Sequence, residues 1–204
     1  MKAASTRWRL LELQRQRRAI RSGIELLDRK REALLRALAE RAAAASRERA
    51  RVAAGLDAAE TVLHEALVEI GSAAAWGAAA AQPSAGGLAA QEDAVIGVRV
   101  PRLLPALTPF CILYGPGGTC ETLDMAATRY RELLPSVLTL AEEERARHNL
   151  ERGLRRTIRT LNALKSLLLP SVDAEIHSVE GRLEEEEREE AIRCRAGYAG
   201  RCCE

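Results

Sequence analysis

Apolar residues recur along the first part of the chain in alternating steps of three and four, with two arginines on the same line: Leu10, Leu13, Arg17, Ile20, Ile24, Leu27, Arg31, Leu34 and Leu38. This is a heptad seam, the mark of a helix that buries one stripe against another helix. Two successive steps of four, at Leu34, Leu38 and Ala42, lead into a second seam through Ala45, Arg49, Val52, Leu56, Ala59, Leu63, Ala66 and Ile70, so a stutter is expected between them. Before Gly71 only Gly23 and Gly55 interrupt good helix formers, and the first proline is Pro83. One helix is therefore expected from about Thr6 to about Ala78. A comparable pattern returns through Val137, Leu140, Leu150, Leu154, Ile158, Leu161, Leu168, Val172, Ile176, Val179 and Leu183, with Pro170 expected to kink it.

A helix of this length cannot bury its stripe alone, and the economical partner is the other helix, antiparallel. Between them Gln82 to Ala90 reads as a Pro/Gly/Ala-rich linker. Two β-type runs follow, residues 95–100 closed by Pro101 and residues 110–114, and are expected to pair as a small hairpin. The fold class is all-α, a long antiparallel two-helix coiled-coil hairpin with a small β-hairpin-containing middle region. Its divisions are an N-terminal coiled-coil helix (1–80), a linker and β-hairpin (81–124), and a C-terminal coiled-coil helix and tail (125–204).

Composition narrows the function. The chain of 204 residues is 47% hydrophobic but only 3% aromatic, which fits packed helices and not the core of a typical enzyme. The net charge of +2 is unevenly spread: residues 1–55 hold 15 Arg and Lys against 6 Asp and Glu, whereas glutamates crowd residues 184–190. The two ends are expected to lie side by side. Five cysteines, an odd number with no apolar leader before them, point to a reduced cytoplasmic setting. The uncharged stretches 70–91 and 103–120 are broken by Pro and Gly and are not expected to span a membrane.

Candidate chemistry is sparse. Gly115-Pro116-Gly117-Gly118-Thr119 lacks the Lys-Ser/Thr pair that would hold terminal phosphates and magnesium, and reads as a turn. The cysteines have no CxxC spacing and His64, His148 and His177 are scattered, so no metal, cofactor or catalytic residue is assigned. A redox enzyme would need a thiol beside a histidine or helix start, and no such pairing is visible. An Arg-rich helix suits a phosphate backbone, yet Glu12, Glu25, Asp28 and Glu32 are interspersed. A nucleic-acid-binding arm and a generic coiled-coil scaffold both account for the heptads, and stay open on the pattern alone.

Ordered blocks at both ends and in the centre separate these readings. The first helix carries Gly23-Ile24-Glu25-Leu26-Leu27-Asp28-Arg29-Lys30-Arg31-Glu32, and the middle Gly97-Val98-Arg99-Val100-Pro101. The second helix carries Leu140-Ala141-Glu142-Glu143-Glu144, Asn162-Ala163-Leu164, Pro170, and Arg182-Leu183-Glu184 leading to Glu187-Arg188-Glu189. In this order the blocks resemble the D subunits of the rotary V-type and A-type ATPases, although Glu32 stands where that family usually has Asp and Lys165 where an acid is usual. The resemblance implies a non-catalytic central shaft, cytoplasmic and peripheral to the membrane. Its partners would be the A and B subunits of the catalytic ring, the small F subunit and a membrane-side socket subunit, with no nucleic acid and no direct membrane insertion. It implies a ring-contacting tip at Arg15, Arg17, Arg18, Arg21, Glu184, Glu187, Arg188 and Glu189. Val98, Val100, Phe110, Ile112 and Tyr114 are expected to share one face of a partner-binding hairpin.

Overall fold

The structure is a computed structural model that describes residues 7–115 and 117–199, with side chains to residue 195. Thr6, Pro116, Cys202 and Cys203, each part of an expectation above, lie outside the described residues. The element order is α1 (Arg7–Ala81), β1 (Gly86–Val95), β2 (Val98–Leu107), α2 (Glu121–Ala163), a π-helical turn (Leu164–Leu168) and α3 (Leu169–Ala199). Two long helical arms and one two-stranded antiparallel sheet between them are the expected fold class. Gly71, at φ +78° and ψ 158°, interrupts α1, a conformation open to glycine because it has no Cβ. The chain forms two compact units, residues 33–154 and residues 1–32 with 155–204.

In the unit of residues 33–154, Leu34, Leu150 and Val100 meet in one core with Ala146 and Leu154. A second core joins Ala66, Ala78 and Leu123, with Tyr114 packed against it. The expected stutter is absent. The covered positions run Leu34, Leu38, Arg41, Ala45, Glu48, Val52, Gly55, Ala59, Val62 and Ala66 in steps of four and three, while Ala42, Arg49 and Leu56 are exposed. The physical reason lies at the three substituted places. Arg41 reaches Glu143 at 2.6 Å, Glu48 is held by Arg51 at 3.0 Å, and Gly55 leaves room for Leu133, whose Cδ1 would stand 2.6 Å from an added Cβ. Long charged side chains can lay their stems along a seam and keep the charge at its rim.

The strands also differ from expectation. Residues 86–95 form β1 although the first of them read as linker, and β1 pairs with residues 98–107, so that residues 110–114 are not a strand. The pairing is set by a two-residue turn at Ile96 and Gly97, with φ +53° and +73°. Two consecutive positive φ values match the turn that suits the twist of a hairpin. Ile96 is the costly member, because a β-branched side chain is strained there. Ile96→Asn should therefore raise stability by about 1 kcal/mol, read as a higher denaturant midpoint.

In the unit of residues 1–32 with 155–204, Leu13 packs with Val172, Ile176 and Val179, flanked by Leu10, Ile20 and Leu183. The first seam from Leu10 to Arg31 is buried or half-buried throughout, as expected. On the other arm Thr157 is 6% exposed where Ile158, at 37%, was expected inside, and Leu168 is 44% exposed. The π-helical turn accounts for Leu168. It adds one residue, so coverage passes from Leu164 to Leu169, whose N–H donates to the Leu164 carbonyl. Pro170 lacks the N–H that would bond the Ser166 carbonyl and its ring crowds that group, which a wider turn relieves. The proline is thus accommodated by the bulge.

Candidate functional site

No cleft with convergent acid, base or nucleophile stands out among the described residues, and no three His, Cys, Asp or Glu side chains are grouped to hold a metal ion. No described helix is long and apolar enough to cross a membrane. The chain instead presents two polar surfaces, the paired helix ends and the hairpin.

At the helix ends, Arg7 donates to Glu187 at 2.8 Å, Arg9 to Glu175 at 3.3 Å, and Arg17 lies 3.7 Å from Asp173. Of the eight tip residues expected from the sequence, Glu187 and Arg17 make contacts between the two arms. Arg188 pairs within its own helix with Glu185 and Glu189 with Arg193. Arg15, Arg18 and Arg21 are exposed and make no ion pair among the described residues, and Glu184 borders a shallow surface depression with Glu187, Arg188 and Ala191. Arg7, Arg9, Asp173 and Glu175 were missed because long side chains pair across a helix interface according to register, which charge counting does not supply. Each exposed pair contributes about 0–1 kcal/mol.

Further along this unit Lys165 donates to Asp28 at 2.8 Å, and Arg31 lies 3.3 Å from the same carboxylate. The hydrogen bond from Lys165 lowers the Asp28 pKa below its ordinary value; partial desolvation opposes this, and the Lys165 and Arg31 charges assist it. A carboxylate with a depressed folded pKa contributes stability above its unfolded pKa and loses it as pH falls through the folded value. Lys165→Met should bring the Asp28 titration, followed by carboxyl-carbon NMR, back up towards the ordinary carboxylate range. An unmoved titration would show that Lys165 is not the cause.

The hairpin is seated on the helices by both strands' inner contacts and by polar side chains. Val98 lies against Gly153, where an added Cβ would come within 2.6 Å of its Cγ2, and Val100 is 4% exposed. Glu142 accepts from the Leu103 N–H at 3.1 Å and Asn149 donates to the Arg99 carbonyl at 2.9 Å. At the open end Arg131 donates to the Ala85 carbonyl at 2.7 Å and to that of Thr108. The expected set Val98, Val100, Phe110, Ile112 and Tyr114 therefore does not share a face of the hairpin. Val98 and Val100 turn towards the helices, whereas Phe110 and Ile112 are exposed outside the strands. Tyr114 donates to Asp124 at 2.6 Å, and its burial, then this bond, push the phenol well above its ordinary pKa. Nothing in the sequence marked Glu142, Asn149 or Arg131 as a hairpin contact, since only the docked strand makes them adjacent to backbone groups.

The family model for the D subunit of ATP synthase matches residues 9–196. The A-type ATP synthase D subunit of Methanosphaera stadtmanae is 32% identical over 187 residues, 90% of this chain and 87% of the relative. The V-type ATP synthase D subunit of Thermus thermophilus is 30% identical over 192 residues, 92% of this chain and 84% of the relative. That of Haloarcula marismortui, named as A-type, is 30% identical over 191 residues, 92% and 83%. With its two long arms, its central hairpin and a match running from the first seam to the last acidic turns, the chain belongs to the family of ATP synthase D subunits.

Proposed function

We propose that this chain is the non-catalytic central rotor shaft of an A/V-type rotary ATPase or ATP synthase, cytoplasmic and peripheral to the membrane. The observation that carries the reading is the family match over residues 9–196 on a chain built almost wholly of two paired arms. In this reading nucleotide chemistry belongs to a ring of A and B subunits, and the chain's task is to be stiff and asymmetric. The arms of residues 1–80 and 125–204 form the shaft. The middle region, 81–124, is held by a small F-like subunit and a membrane-side socket subunit.

The mechanism is differential contact. A shaft that presents a different face to each catalytic pair biases each towards a different conformation, and moving one site from 1:99 to 99:1 takes about 5.5 kcal/mol. Many weak polar contacts suit this better than one strong one, because a rotor must leave each position it reaches. Arg15, Arg18 and Arg21 fit such a role: they are exposed and make no ion pair among the described residues, so the folded unit does not consume their charges.

Replacing all three arginines by alanine should leave thermal stability unchanged within about 0.5 kcal/mol, as expected of surface positions. In a rebuilt complex it should lower ion pumping per ATP hydrolysed. Unchanged coupling would refute the role given to these residues. The reading as a whole is tested by tagging the intact chain and identifying what co-purifies under gentle conditions: A, B and F-like subunits are expected, and recovery with none of them would refute it.

A further inference from the structure

The two edges of the hairpin are treated differently by the rest of the fold. The two-residue turn and the Thr108 N–H donated to the Ala85 carbonyl at 3.2 Å set the phase of the ladder. Alternate residues of β1, from Gly87 to Val95, bond to β2, so Leu88, Ala90, Glu92 and Ala94 direct their N–H and C=O groups away from it. On β2 the outward residues are Arg99, Pro101, Leu103 and Pro105.

The outer edge of β2 is closed. Pro101 and Pro105 have no N–H to offer, the Leu103 N–H is taken by Glu142, and the Arg99 carbonyl is taken by Asn149. The outer edge of β1 is open: among the described residues nothing bonds to its outward backbone groups, and residues 87–94 are all exposed. Proteins ordinarily protect such an edge with proline, lysine, a bulge or a covering element. Here the prolines and the covering contacts sit on β2 alone, and β1 carries only the charges of Glu92 and Asp93.

We infer that the outer edge of β1 is a docking strand for an extended segment of a partner subunit that carries two consecutive basic residues. This rests on the proposed function for the existence of such a complex. An added strand would pair backbone to backbone with Leu88, Ala90, Glu92 and Ala94. The charge preference comes from the free side of two acids: Glu92 and Asp93 each have one cation on the β2 side, Arg99 at 3.3 Å and Arg102 at 4.0 Å, while both carboxylates stay more than half exposed and no other ion pair reaches them among the described residues. Both acids sit on the open strand and point to opposite faces of the sheet, so each is complemented by a cation on the incoming strand, at adjacent positions. A second copy of β1 does not meet this preference, because Gly86–Val95 contains no cation.

Hydrogen exchange of the full chain, alone and in the assembled complex, tests the inference. The amides of Leu88, Ala90, Glu92 and Ala94 should slow by about tenfold or more on assembly, as expected for newly made main-chain bonds. Ala90→Pro removes one outward N–H and no bond to β2, and should weaken incorporation about tenfold with unchanged circular dichroism and melting. If that variant does not fold, exchange of the unaltered chain still decides. Equal exchange in both states, or normal incorporation of a folded Ala90→Pro chain, overturns the inference while leaving the proposed function standing. Concentration-dependent protection in the isolated chain identifies a second copy as the occupant and overturns it too. A chain that joins no complex overturns both.

Discussion

Leu150→Ala is expected to destabilise the unit of residues 33–154 by about 2–5 kcal/mol, the cost of lost transfer energy and the cavity left behind. Leu150 is 0% exposed and meets Leu34 of α1, Val100 of β2 and Ala146 and Leu154 of its own helix. One truncation therefore loosens α1, α2 and the hairpin together. The effect should appear as a fall in denaturant midpoint with little change in slope. It should be matched by faster amide exchange in β2, since Val100 loses its support. Were the hairpin an accessory to a coiled coil complete without it, exchange in β2 would not respond. A loss below about 0.5 kcal/mol would show that this cluster does not hold the unit together.

Arg41→Ala is the second large effect, expected to cost about 2 kcal/mol. Arg41 donates to Oε1 of Glu143 at 2.6 Å, and that carboxylate has a side chain only 14% exposed and an Oε2 with no hydrogen-bond partner. Removing the guanidinium leaves a nearly buried carboxylate uncompensated, which is costlier than losing an exposed pair. The figure is set below that for a fully buried pair because the Arg41 side chain keeps 35% of its exposure. Adding Glu143→Leu to Arg41→Ala should restore about 1–2 kcal/mol by removing the orphaned charge. Loss of the same stability with or without Glu143 would mean that Arg41 acts through its stem alone.

These two sites mark where the sequence was readable and where it was not. The seam from Leu10 to Leu38 was legible because most of its positions are large aliphatics, and the structure covers all of them. Beyond Leu38 hydrophobicity misled: Ala42 and Leu56 are more apolar than Arg41, Glu48 and Gly55, yet the latter three occupy the seam. Their fit depends on Arg51 of the same helix and on Glu143 and Leu133 of the opposite one, and no window along one helix contains the last two. Thr157 and Ile158 exchanged places for a similar reason, since helical phase outranks the polarity of one side chain.

Pro170 was visible as a disturbance, but the sequence did not show that a π-helical turn would absorb it. Strand β1 was hidden by Gly86 and Gly87, which read as linker, and by a turn with Ile at a position that favours Asn or Gly. The family was legible from ordered blocks at both ends and in the centre, and the match over residues 9–196 bears that out. The tip and the hairpin contacts were the least readable features, because they combine charge with interhelical register and with backbone edges that exist only after folding.

The central claim is that this chain turns inside a catalytic ring. Its most direct test is single-molecule observation of a bead fixed to the exposed hairpin of this chain, within a rebuilt ring anchored to a surface and supplied with ATP. The account predicts stepwise rotation in one direction that stops when ATP is withdrawn. A ring that hydrolyses ATP with this chain bound while the bead stays still would contradict it.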